Sequence, residues 1–187
     1  MRYFLLVLAA ALVALLVFAP FSGCASVTPN RVAVGEAFPA VEGEALDGTV
    51  QAFPGGLGGK PAVLLIGYVQ DTQFDLDRWL IGLTQLKTPV QVYELPTIAG
   101  LFPGMFAGTI ADGMRSGIPE EMWAGVVTLY DESADLVIAH LGNERPRCGR
   151  VLLLDGEGKI VWMHDRGFSP AELSDLDARV RALEEGR

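Results

Sequence analysis

Four carboxylates fall close together in this 187-residue sequence: Asp71, Asp75 and Asp77 within VQDTQFDLDRW, and Glu94 in VQVYELP. Grouped carboxylates can perform general acid–base chemistry or hold a hard cation. The Asp-x-Asp-x-Asp-Gly spacing of a calcium loop is absent. Acids in the first turn of a helix are also what the helix dipole favours unaided, so a structural role is expected for these four. The chain holds two cysteines, Cys24 and Cys148, and two histidines, His140 and His164. Neither pair has metal-ligand spacing, and no Gly-x-Ser-x-Gly elbow or zinc-protease motif is present. No metal or cofactor is expected. The cations nearest Cys148 in sequence are Arg145, Arg147 and Arg150, a residue type that supports a thiolate. A single reactive thiol is one reading of Cys148, and an inert, buried one is the other.

The N-terminus reads as a targeting segment. Arg2 precedes an uncharged apolar run, Tyr3 to Ala19, followed by Pro20, Phe21, Ser22, Gly23 and Cys24. A basic residue, a hydrophobic stretch and small residues in that order are the layout of a secretory signal. Ser22-Gly23-Cys24 resembles the end of a bacterial lipobox, with Phe21 where an aliphatic residue is usual. That resemblance implies a lipoprotein-type signal peptide over 1–23, a lipidated Cys24 and a linker over 24–33. The alternative is an uncleaved N-terminal anchor. Either way the expected location is extracytoplasmic and membrane-anchored, at a bacterial periplasm or cell surface. The formal net charge of −9, with no clustered basic surface in the sequence, excludes nucleic acid as a partner.

Residues 34–187 are the size of one domain. Asp47-Gly48 favours a tight hairpin turn, and PGGLGGKP lacks the Walker spacing, so it is a connector before a strand. Ala62 to Tyr68 is continuously apolar, as in a strand buried on both faces. Leu76, Trp79, Leu80 and Leu83 then recur at helical spacing, with Asp71 or Thr72 as N-cap and Thr72-x-x-Asp75 as an approximate capping box. PVQVYELP and VVTLYDE read as strands, and DLVIAHLG as a helix stopped by Gly142. RVLLLD and KIVWMHD form a hairpin, with Ile160, Trp162 and His164 on one strand face. Ser169-Pro170-Ala171-Glu172 opens a last helix whose Leu173, Leu176, Val180 and Leu183 face the core.

These pieces resemble an extracytoplasmic thioredoxin-like domain: VGEAFP, LDGTV, GGKPAVLLIGY, TLYDESADLVIAHLG and RVLLLDGEGKIVWMHDRGFSPAEL follow one another at that fold's spacing. The resemblance implies an α/β domain with a central mixed sheet of four to five strands and helices on both faces. It also implies where a Cys-x-x-Cys pair would stand, at about Asp71 and Phe74. Neither is cysteine, and thiol–disulfide exchange needs one thiolate to attack and a second thiol to resolve. The family's cis-proline loop corresponds to about Arg147-Cys148-Gly149, which puts Cys148 near the same elbow. YELPTIAG, the middle helix and the closing hairpin are similar to the assembly factors of the mitochondrial ATP synthase proton channel, which keep this fold without the cysteine pair.

Between Gly100 and Gly117 a helical stripe is rich in large apolar residues. With the turn that follows, this region supplies Phe102, Met105, Phe106, Met114, Met122 and Trp123. Stripes of this kind usually face a core, but their number suits an exposed surface for a protein partner, where methionine adapts readily. The expectation is a membrane-tethered, redox-inactive thioredoxin-like protein that binds a protein partner, for instance while a membrane complex assembles. The alternative is a single-cysteine redox enzyme, peroxiredoxin-like or forming mixed disulfides, that uses Cys148.

Overall fold

The computed structural model describes residues 27–100 and 107–186. In chain order the elements are β1 (Val41–Ala45), β2 (Val50–Phe53), β3 (Ala62–Gly67), α1 (Gln73–Leu86), β4 (Gln91–Ile98) and α2 (Ala107–Arg115). They are followed by β5 (Val127–Tyr130), α3 (Asp131–Leu141), β6 (Arg150–Leu154), β7 (Ile160–His164) and α4 (Pro170–Glu185). One mixed sheet runs β2-β1-β5-β4-β3-β6-β7. Its central strands β3, β4 and β5 are parallel, and the flanking strands pair antiparallel.

Seven strands exceed the four to five expected, because the N-terminal hairpin joins the sheet. The Asp47-Gly48 turn closes it: Gly48 has φ 87° and the Thr49 amide donates to Asp47 Oδ1 at 2.9 Å. Strand β1 can then pair with β5 because residue 43 is glycine; a Cβ there would lie 2.6 Å from the Thr128 carbonyl oxygen.

Side chains alternate across the sheet and fill two cores. Leu64, Ile66, Leu95, Leu129 and Leu152 pack under Ala134, Val137 and Leu141 of α3. Val63, Leu65, Val151 and Leu153 pack under Leu76, Trp79 and Leu83 of α1 and Leu173, Leu176 and Val180 of α4. Each fully buried Leu or Val contributes about 1.5–3 kcal/mol, so these helices sit firmly on the sheet. Ser169 caps α4 as its sequence foretells, accepting from the Glu172 amide at 3.4 Å with Pro170 at the first helical position.

Four local expectations are corrected. Strand β5 stops at Tyr130, and Asp131 (φ 46°) opens α3 directly, so Asp131 and Glu132 are helical. A bulge opposite Leu153 and Leu154 turns Ile160 toward the α3 side while Trp162 packs with α1 and α4, so those two do not share a face. Over its described residues, Ala107–Arg115, helix α2 buries no side chain, so its stripe does not enter the core there. Finally, the expected linker is tied down from Thr28 onward. Thr28 and Asn143 exchange two hydrogen bonds (2.7 and 2.9 Å), the Arg31 amide donates to the Leu141 carbonyl at 3.2 Å, and Ala33 is fully buried.

Candidate functional site

The chain leaves β3 through Tyr68 and Val69 and makes one 3-10 turn, Gln70–Thr72, before α1 begins. Facing it is the connection from α3 to β6, residues 142–149. Three side chains at the start of α1 hold that loop. Thr72 Oγ1 donates to the Pro146 carbonyl at 2.7 Å. Asp75 Oδ2 accepts from the Gly149 amide at 2.9 Å, and its Oδ1 accepts from the Phe168 amide, ahead of α4, at 2.6 Å. Asp71 Oδ2 lies 3.3 Å from Arg147 Nε on the exposed rim. The expected capping box is therefore not formed. Thr72 already has helical backbone angles and no capping bond to α1, and Asp75 is used to bind two loops.

On the other side of the loop lies a group that sequence reasoning missed. Arg150, the first residue of β6, is fully buried. Its Nη1 donates to the Cys148 carbonyl at 2.9 Å and to that of Arg145 at 3.4 Å. Its Nη2 donates to Asn30 Oδ1 and, at 3.4 Å, to the Gly142 carbonyl. The guanidinium also lies 5.3 Å from the Tyr68 ring centroid. Burial pushes the Tyr68 phenol well above its ordinary range, and the Arg150 charge opposes that shift. One cation thus fastens both ends of the loop and the N-terminal strap. An arginine immediately before a wholly apolar strand was the available signal, since arginine is seldom fully buried unless bonded.

The two positions matched to a cysteine pair are held by Asp71, on the rim, and Phe74, which is 74% exposed. Cys148 is a free, half-buried thiol in the loop that rests on this turn. The acids, in contrast, are not brought together as one catalytic set. Asp71 faces Arg147, Asp75 binds backbone, and Asp77 accepts from Gln73 Nε2 at 2.8 Å. Glu94 is buried beneath α1. Burial pushes its carboxyl above the usual range, a Gln73 hydrogen bond pulls it down and the Asp77 charge pushes it up. Among the described residues no group of three or more His, Cys, Asp or Glu is arranged to hold a metal. His140 lies in α3 beside Glu36, and His164 Nε2 shares a 2.8 Å hydrogen bond with the Gly167 carbonyl, so the histidines serve different regions.

Of the apolar residues singled out in the middle of the chain, Phe102, Met105 and Phe106 lie outside the described residues. Met114, Met122 and Trp123 are half-buried. Trp123 Nε1 donates to the Ile118 carbonyl at 2.9 Å, and the Arg115 guanidinium stands 5.8 Å from its ring centroid. Between α2 and strands β1 and β5 is a cleft of about 200 Å³, bordered by Glu44, Leu46, Ala111, Arg115 and Tyr130.

Solved structures match this arrangement over most of the chain. The thioredoxin domain of a thiol-disulfide oxidoreductase from Bacteroides vulgatus superposes with a TM-score of 0.55 at 17% identity, covering 80% of this chain and 99% of that one. The fold is thioredoxin-like. A SCO1/SenC family lipoprotein from Bacillus anthracis shares the thioredoxin-like frame at a TM-score of 0.57 and 13% identity, covering 83% of this chain and 99% of that one. BsSco, of the Sco family of cytochrome c oxidase assembly proteins, matches at 0.56 and 10% identity over 86% of this chain and 99% of its own. Identities this low speak to the fold alone. No family model and no curated protein matches the sequence.

Proposed function

We propose that this chain is a membrane-tethered thioredoxin-like protein that binds a protein partner without performing dithiol exchange, in the manner of an assembly factor for a membrane complex. The observation that carries this reading is the elbow itself. The two positions expected from the resemblance to carry a redox pair hold a rim carboxylate, Asp71, and an exposed phenylalanine, Phe74, and the acid of the first helical turn is committed to holding loops. Neither side chain can attack a disulfide. The partner is placed on α2 and the turn after it, where Met114, Met122 and Trp123 are only half covered and α2 buries none of its residues. Methionine side chains fit irregular apolar partners. Tethering is through a lipid on Cys24 or through an uncleaved anchor; among the described residues no helix is long and apolar enough to cross a membrane.

A second reading rests on the loop contacts that bring Cys148 to the elbow. There a thiolate would attack a partner's disulfide, giving a mixed disulfide and releasing the partner's other sulfur as a thiol. Incubating the folded protein with a disulfide reporter separates the two. Partner binding alone predicts no release of reporter thiol by wild type or Cys148→Ser, whereas release of one equivalent with a mixed disulfide on the protein, abolished by Cys148→Ser, establishes the redox reading.

A further inference from the structure

We infer that the face carrying the elbow lies against the membrane surface, with bilayer headgroups and the upper acyl region contacting the 142–149 loop, Val69 and Phe74. This rests on the tethered reading above. Thr28 lies four residue steps beyond Cys24, a reach of about 14 Å when fully extended, and Thr28 is fixed to Asn143 by two hydrogen bonds. The exit point cannot swing, because Asn30 is bonded to the Glu144 amide, to Asp165 and to buried Arg150. A lipid on Cys24 therefore sits close to one end of the 142–149 loop, whose other end rests on α1.

That end of the molecule carries exposed apolar side chains: Val27 is 70%, Phe74 74% and Val69 43% exposed. An exposed aromatic ring is suited to the interfacial zone of a bilayer. Charge points the same way. The chain as a whole carries −9, and an anionic surface repels it. The 142–149 loop, however, exposes Arg145 and Arg147 against Glu144, with Asp71 facing Arg147 and Asp75 and Asp165 bonded at its edges, so this face is nearer neutral than the chain as a whole. Of the possible orientations, the tether and the field select the one with this loop downward.

The test uses the full chain with its native N-terminus in vesicles of phosphatidylcholine and phosphatidylglycerol, read by hydroxyl-radical oxidation. Phe74 is compared with Val50, 70% exposed on edge strand β2. On vesicles, relative to detergent, Phe74 oxidation is expected to fall about fivefold or more while Val50 is unchanged. Each arginine near an anionic bilayer is worth about a fivefold bias, so Arg145→Gln with Arg147→Gln should shift the docking equilibrium about thirtyfold and restore Phe74 labelling. If the protein sediments with the vesicles and Phe74 oxidation, like that of Val50, is unchanged from detergent, the docking is wrong and the tether stands. If it stays in the supernatant, the tether fails and the docking with it.

Discussion

Replacing Asp75 by alanine removes the acceptor for two backbone amides on different loops, Gly149 at 2.9 Å and Phe168 at 2.6 Å. Hydrogen bonds to a charged group contribute about 1.5–3 kcal/mol each. Discounting for the half-exposed carboxylate, the pair comes to about 3 kcal/mol. Asp75→Asn keeps one carbonyl acceptor and turns an NH2 toward the other amide, so it should lose about half of that. With a urea slope of about 2 kcal/mol/M for a domain of this size, Asp75→Ala should move the unfolding midpoint down by about 1.5 M at unchanged slope. Asp71→Ala is the comparison. Its carboxylate meets Arg147 on an exposed rim, where an ion pair is worth about 0–1 kcal/mol. The assay is equilibrium urea unfolding followed by tryptophan fluorescence, since Trp79 of α1 and Trp162 of β7 lie in one core. An Asp75→Ala loss below about 1 kcal/mol, or one equal to that of Asp71→Ala, would refute the claim that this acid holds the elbow together.

Three further outcomes are expected. Gly142→Ala places a Cβ 2.2 Å from the Pro29 carbonyl oxygen at φ 79°, so it should cost about 2 kcal/mol and increase proteolysis of the N-terminal strap; an unaltered cleavage rate would show that the strap is not held there. Glu94 has its pKa raised by burial, so the native state holds that proton more tightly than the unfolded chain. Stability should therefore fall as pH rises from the ordinary carboxylate range through the native pKa. Glu94→Gln should flatten that slope and stabilise at neutral pH, and urea titrations across pH showing no difference between the two proteins would contradict it. Asn30→Ala removes the clasp shared by the strap, Glu144 and Arg150 and should speed alkylation of Cys148 at constant pH. A rate equal to wild type would separate the loop from the strap.

The core strands and the capping of α4 were legible because their signals are local: a continuous apolar run for β3, and Ser169-Pro170 with Glu172 for the helix start. Asp75 was not. Its type and place suit a first-turn acid, and nothing within the segment reveals that amides 74 and 93 positions away will meet its two oxygens. Arg150 and Asn30 were hidden in the same way, since their contact joins residues 120 apart. The strand count was short because β1 reaches β5 only where Gly43 removes a Cβ, a close approach that depends on a partner strand distant in sequence.

The central claim, partner binding without disulfide chemistry, is tested most directly by a photo-crosslinking residue at position 114 of the full chain in its native membranes. The account predicts a discrete protein adduct that resists reductant and persists in Cys148→Ser. No adduct at that position, with a reductant-sensitive conjugate formed through Cys148 instead, would contradict it.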